Sequence, residues 1–149
     1  MRAVIQRVKN ACVTIEDKEV AHIGQGMLIL LGVKEGDDET HAQALANKIM
    51  GLRIFTDAND KMNLSPADIG GEFLVVSNFT LYGSCKKGRR PSFIAAARPE
   101  SANMLYEYFA DLLREGGFKT QTGAFGADMQ VSLCNDGPVT LVIESEELL

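Results

Sequence analysis

The sequence predicts an α+β fold: an antiparallel, barrel-like β-sheet with two packed helices. Three observations lead there. Residues 1–9 and 11–16 alternate polar and apolar at the period of a strand. Two later stretches repeat apolar residues at helical spacing. The last third is rich in strand-like apolar runs separated by turn residues. A length of 149 residues fits a single domain, 1–149, large enough to build a core without disulfide or metal staples.

Taken in order, residues 1–9 and 11–16 read as two strands with Asn10 at the turn between them, and 19–23 as a short third. The run from Gly26 to Val33 is continuously apolar and reads as a buried central strand. Gly36-Asp37-Asp38 then caps a helix whose inner face is Ala42, Leu45, Ala46, Ile49 and Met50, closed by Gly51. Residues 52–56 read as a strand, with a turn through Asp57-Ala58-Asn59-Asp60. Residues 72–81 read as one long strand. Residues 82–97 form a loop rich in Gly, Lys and Arg, long enough to point to function rather than passive connection. Pro99 and Glu100 suit the first turn of a second helix, with a buried stripe of Ala102, Leu105, Phe109, Leu112 and Leu113, ended by Gly116-Gly117.

Composition narrows the function classes. No run approaches the roughly 20 apolar residues of a membrane span, and the amino terminus lacks the apolar block of a signal peptide, so no membrane partner and a cytoplasmic location are expected. Cys12, Cys85 and Cys134 are odd in number and far apart, with no CxxC pair. Reduced thiols and no metal site are expected. His22 and His41 are expected to be solvated, without acidic partners. The segment from Gly83 to Arg90 has the glycine spacing of a phosphate loop but carries Arg-Arg where Lys-Ser/Thr is required. There is no GxSxG elbow, HExxH helix or complete GxGxxG fingerprint. A net charge of −5 argues against a general nucleic-acid binder, yet Lys86, Lys87, Arg89 and Arg90 fall within five residues. That cluster reads either as a phosphate contact or as a solvated loop.

Two segments carry chemistry. Ser77-Asn78-Phe79-Thr80-Leu81 ends an apolar strand in a polar cluster. Asn135-Asp136-Gly137-Pro138-Val139-Thr140 sets a Gly-Pro bend between apolar runs at 129–134 and 139–143. Pro lacks an N–H and fits badly inside a central strand, while Gly lets backbone approach a ligand. Thr80 and Ser77 are the hydroxyls of the first cluster. Neither segment supplies a His, Glu or Lys to activate them. Thr80 therefore reads as a positioning group, with a covalent nucleophile as the other option.

These two segments resemble the signature motifs of the D-aminoacyl-tRNA deacylases, usually SQFTL and NxGPVT. The resemblance extends over nearly the whole chain. It includes the opening strand from Met1 to Val8, Leu52-Arg53-Ile54-Phe55 with Lys61-Met62-Asn63, the GRRPSF run from Gly88 to Phe93, and the TGAFGADM run from Thr122 to Met129. Asn78 departs from it, standing where the family carries Gln.

The resemblance implies a homodimer and hydrolysis of the ester in D-aminoacyl-tRNA, and of mischarged glycyl-tRNA. It implies no cofactor and no metal. The implied partner is the tRNA acceptor end carrying a D-amino acid or glycine. It implies that Thr80, Phe79 and Ser77 face the reacting carbonyl, largely through main chain, with a ribose hydroxyl of the substrate helping to activate water. It also implies that Gly137-Pro138 is cis and reaches the neighbouring subunit's pocket as a wall against L-residues. Asn78, Arg7, Phe125 and Met129 complete the substrate site in this reading, and Lys86, Lys87, Arg89 and Arg90 meet the tRNA backbone. From the residues alone, Arg7 is equally an ordinary surface Arg, and Phe79, Phe125 and Met129 read as core. Two competing functions use the same residues: a non-catalytic RNA-binding or editing accessory module on the same fold, and an esterase of small D-amino-acid esters.

Overall fold

The computed structural model describes residues 1–149. Its strands are β1 (Arg2–Ile15), β2 (Lys18–Ile23), β3 (Gly26–Gly32), β4 (Phe55–Thr56), β5 (Met62–Leu64), β6 (Glu72–Ser77), β7 (Thr120–Thr122) and β8 (Gln130–Glu144). The two helices are α1 (Glu39–Met50) and α2 (Pro99–Glu115). The main sheet has the order β2-β1-β3-β6-β7, with β8 on β1. β4 and β5 form a separate antiparallel pair.

The sheet is mixed, not antiparallel as the sequence suggests. β1 pairs antiparallel with β2, β3 and β8, but β3–β6 and β6–β7 are parallel. A parallel pair needs a long crossover, and each helix supplies one: α1 lies between β3 and β6, α2 between β6 and β7. The far edges of the sheet approach one another. The His22 N–H on β2 donates to the Gln121 side chain on β7 at 2.9 Å, so the sheet is nearly closed into a barrel.

β1 is one bent strand through Asn10 rather than two strands joined by a turn. Met1, Ala3, Ile5 and Arg7 are buried at odd positions. The order is then broken at Val8, and Ala11 and Val13 continue it. The register against β8 shifts twice across this point, between Gln6 and Asn10. The first half of β1 thus faces one core and the second half another. The larger core holds Met1, Ala3, Ile5, Met27, Ile29 and Leu31 against α1 and α2. The smaller, inside the curled sheet, holds Val8, Ala11, Val13, Ile23, Leu28 and Leu74. β3 serves both, which accounts for its unbroken apolar run.

α1 begins at Asp38, whose carboxylate accepts from the N–H groups of Thr40 and His41, and the His41 Nδ1 closes back on the cap, 3.2 Å from the Asp38 backbone N. His41 is therefore partnered, not free: its Nδ1 lies 2.8 Å from Asp38. Its inner face is Ala42, Leu45, Ala46 and Ile49, with Met50 half-buried, and Gly51 ends it. α2 starts at Pro99 and buries Ala102, Leu105, Tyr106, Phe109, Ala110 and Leu113; Leu112 is only half-buried. The 52–56 strand is shorter than expected, covering Phe55–Thr56 alone. The 72–81 strand stops at Ser77, and Phe79–Tyr82 turns as a 3₁₀ helix. No helix is long and apolar enough to cross a membrane.

Candidate functional site

The end of β6 builds the site. After Ser77 the chain leaves the sheet, and Asn78 takes a non-helical conformation (φ −145°, ψ 90°) with its N–H held by the Leu31 carbonyl at 2.9 Å. Phe79–Tyr82 then closes one tight turn through Leu81 N–H to Asn78 O and Gly83 N–H to Thr80 O. The first donors of such a turn have no partner within it. The N–H groups of Phe79 and Thr80 accordingly donate to no protein acceptor. The Thr80 hydroxyl donates to the Asn78 side-chain oxygen, so Asn78 still anchors it despite lacking the methylene of Gln.

The turn is held from behind. Gly32 leaves room for it: a Cβ there would sit 3.1 Å from the Leu81 Cβ and 3.2 Å from the Tyr82 ring. Arg2 on β1 pairs with Glu144 on β8, donates to the Leu81 carbonyl at 2.6 Å and lies 4.9 Å over the Tyr82 ring. Burial pushes the Tyr82 phenol well above its usual range, so the ring beside Arg2 stays neutral.

A groove of about 750 Å³ opens at this turn. Ser77, Asn78, Phe79 and Thr80 form one wall, and Phe125 and Met129 another, so six of the expected site residues come together. The apolar floor includes Leu30 and Val76, and the first turn of α2 closes the end through Pro99 and Ala102. Tyr106 ties these parts together. Its hydroxyl donates to the Val75 carbonyl at 3.2 Å, and its ring lies 6.0 Å from that of Phe125. Burial raises the Tyr106 pKa, which keeps the donor protonated.

Phe93 is a wall of the groove that the sequence reading missed. It packs edge-on to Phe79 with ring centroids 5.1 Å apart. Its signal was its place directly after the basic run. Ser84 and Ser92 exchange backbone hydrogen bonds at 2.8 and 2.9 Å, so residues 85–91 project as a tongue whose base is Phe93. Lys86, Lys87, Arg89 and Arg90 are all exposed on it and form no ion pair. Asp128 is the one carboxylate lining the groove, also unexpected, and it bonds to neither Ser77 nor Thr80.

Gly137, Pro138 and Arg7 do not line this groove. Gly137 and Pro138 are exposed within β8 and joined by a cis peptide. Gly137 has φ +124°, where an L side chain is strained, and a Cβ there would lie 2.8 Å from Arg7 Nη2. Arg7 is buried. Its Nε donates to the Asp136 carbonyl at 3.0 Å and its Nη1 to the Ile54 carbonyl at 2.8 Å. Asn135 adds side-chain donations to the carbonyls of Arg7 and Val139 at 3.2 and 3.1 Å. The exposed bend is thus clamped on its inner side.

The geometry is that of a small apolar groove with free backbone donors at one end, flanked by a basic tongue. The chain as a whole is similar to known proteins. A D-aminoacyl-tRNA deacylase of Desulfatibacillum aliphaticivorans is 58% identical over 146 residues, covering 98% of this chain and 100% of that protein. One of Thermosipho africanus is 56% identical over 148 residues, covering 99% of each. Among solved structures, the c-Myc DNA unwinding element binding protein superposes with a TM-score of 0.90 at 38% identity, over 97% of this chain and 98% of that one. A probable eukaryotic D-amino acid tRNA deacylase shares the fold, with a TM-score of 0.78 at 18% identity over 96% and 98% of the two chains. The family model described as D-Tyr-tRNA(Tyr) deacylase matches residues 4–144, and the chain belongs to that family.

Proposed function

We propose that this chain is an ester hydrolase that removes D-amino acids, and glycine, from the acceptor end of tRNA. The observation that carries the reading is the pair of unpartnered N–H groups on Phe79 and Thr80 at the mouth of the groove. Aimed at the ester carbonyl, they stabilise the oxyanion that forms when water adds. The ribose oxygen then leaves with a proton. Ser77 and the N–H groups of Phe79 and Thr80 hold the carbonyl, and the Thr80 hydroxyl, its proton on Asn78, positions the water by accepting from it. No basic side chain touches Thr80, whose hydroxyl is spent on Asn78. The vicinal ribose hydroxyl of the substrate supplies the missing help to the attacking water. Phe79, Phe125 and Met129 offer apolar surface to the terminal nucleoside, and Lys86, Lys87, Arg89 and Arg90 meet phosphates of the acceptor stem.

Chiral selection falls to Gly137 and Pro138 in a homodimer. These residues are exposed, clamped by Arg7, and absent from their own chain's groove. In our reading they enter the partner's groove, where their carbonyls accept from the substrate ammonium and block the position an L side chain would occupy. Glycine has no side chain to exclude. The enzyme would act in the cytoplasm.

The test compares hydrolysis of D-Tyr-tRNA, L-Tyr-tRNA and a free D-tyrosine ester. Rapid release from D-Tyr-tRNA alone is expected. Binding of tRNA without hydrolysis would instead identify an accessory RNA-binding module, and equal rates on the free ester a small-molecule esterase.

A further inference from the structure

The outer face of the sheet carries a second cluster that the groove does not use. Cys12 on β1 and His22 on β2 are directly opposed across the antiparallel ladder. Residues opposed in this way point to the same face. Continuing along the ladder, Val13 pairs Ala21 but Thr14 pairs Glu19, so Val20 is an extra residue, a β-bulge. The side-chain period of a strand is two, so a regular ladder would send Glu19 to the opposite face from His22. The bulge reverses that parity and brings Glu19 onto the face of Cys12 and His22. Its cost is visible at Val20, an apolar side chain left 51% exposed.

The result is a sulfur, a nitrogen and a carboxylate oxygen all within 4.8 Å of one another. The Nδ1 of His22 lies 3.6 Å from Oε1 of Glu19. Bond lengths of about 2.0–2.3 Å to a tetrahedral zinc ion put neighbouring ligand atoms roughly 3.3–3.6 Å apart. Small rotamer adjustments of the exposed Glu19 and His22 side chains toward the half-buried Cys12 would close the three on an ion. The backbone is already fixed by the ladder and by the Gln121 side chain, which accepts from the His22 N–H. Thiolate, imidazole and carboxylate together suit a borderline divalent transition metal rather than magnesium or calcium.

We propose that Cys12, Glu19 and His22 bind one zinc-class divalent ion per chain, with a fourth position open to water. The site is separate from the substrate groove. None of its residues lines that groove, and they face away from the smaller core, into which the alternate residues Ala11, Val13, Ala21 and Ile23 point. No sequence spacing announced it, because the bulge and not the spacing assembles it.

The test uses the full chain, reduced and freed of metal, titrated with Co²⁺ alone and then with Zn²⁺ alone. One Co²⁺ per chain is expected, with the near-ultraviolet charge-transfer absorption of a cobalt–thiolate bond, lost when Zn²⁺ displaces it. Cys12→Ser should abolish the absorption, and His22→Ala should weaken binding by roughly a factor of ten or more, since one of three protein ligands is gone. The double variant Cys85→Ser/Cys134→Ser should bind as the parent does. All of these positions are exposed or half-buried, and circular dichroism checks that each variant is folded. Absence of the thiolate absorption in the parent, its persistence in Cys12→Ser, or its loss with Cys85 and Cys134 would overturn the site.

Discussion

The Nε of Arg7 donates to the carbonyl of Asp136 at 3.0 Å, fixing the backbone one residue before Gly137 from the neighbouring antiparallel strand. The same guanidinium holds the Ile54 carbonyl, so a single buried cation joins β1, the loop before β4 and the bend of β8. Arg7→Met would leave both carbonyls without this donor. Hydrogen bonds to a charged group contribute about 1.5–3 kcal/mol each, and one buried acceptor left unpaired costs about as much. We expect a loss of roughly 2–4 kcal/mol in urea unfolding and at least a tenfold lower rate on D-aminoacyl-tRNA. Arg7→Lys should recover only part of this, because an ammonium cannot reproduce the fork. Unchanged unfolding and rate in Arg7→Met would show that the clamp is incidental.

The basic tongue gives a second prediction. Lys86 and Arg89 are exposed and unpaired beside the groove. Each phosphate neutralised contributes about 0.7 to 0.9 to the slope of log affinity against log salt. The double variant Lys86→Ala/Arg89→Ala should therefore weaken tRNA binding and flatten that slope by roughly 1.4–1.8. Identical affinities and slopes across a salt series would remove the tongue from the RNA interface.

Thr80 is tested by its own truncation. Its hydroxyl is bonded to Asn78 and has no base beside it, while its N–H remains when the side chain is cut to Ala. Thr80→Ala should keep measurable deacylation, slowed by roughly a hundredfold or less. Mass spectrometry of the quenched parent enzyme should show no aminoacyl adduct. A stable adduct on Thr80 would establish covalent catalysis.

Both helices were legible because their signals are local. Asp38 and Gly51 cap α1, Pro99 opens α2, and their apolar stripes match the buried faces. The polar cluster at Ser77 to Thr80 is legible in the sequence, but as the end of a strand reaching Leu81; the turn that begins after Ser77 is not. What the sequence hid depends on partners. The parallel pairing of β3 with β6 follows from the crossover through α1, a signal available in the strand–helix–strand order but outweighed by the alternation in β1. Asn10 reads as a turn between two strands, because a polar interruption of the buried alternation looks the same locally whether the chain bends or reverses. Phe93 joined the groove only through Phe79, 14 residues earlier, and the Cys12, Glu19 and His22 cluster only through a bulge.

The cap of α1 makes a prediction about acid. The Asp38 carboxyl is held below its ordinary value of 3.8, chiefly by the His41 side chain and also by the N–H groups of His41 and Thr40. A carboxyl with a depressed folded pKa contributes stability that is present above the unfolded pKa and is lost as pH falls through the folded one. Asp38→Ala should therefore be less stable than the parent at about pH 5, and the gap should narrow below about pH 4. Urea midpoints of both proteins across that range measure it. A gap that persists undiminished into strong acid would mean that the charge of Asp38 is not what caps the helix.

The last prediction concerns Gly137. Its φ of +124° is a conformation that L side chains rarely adopt, and a Cβ would meet Arg7 Nη2 at 2.8 Å and Val139 Cγ2 at 3.0 Å. Val139 is branched and fixed in the strand, and Arg7 is committed to the Asp136 and Ile54 carbonyls, so the bend itself must give way. Strain of this kind costs about 1–3 kcal/mol, which a 149-residue domain with other contacts intact tolerates. The fold should survive while the exposed Gly137-Pro138 backbone, carbonyls included, moves. If those carbonyls form the wall that admits D-residues, Gly137→Ala loses hydrolysis of D-Tyr-tRNA by at least tenfold and gains none on L-Tyr-tRNA. If they merely complete a strand, the variant is less stable but hydrolyses D-Tyr-tRNA at the parent rate. Unfolding curves and single-turnover rates on the two substrates, measured on the same preparation, separate these outcomes; a folded variant with parent rates would rule out the wall.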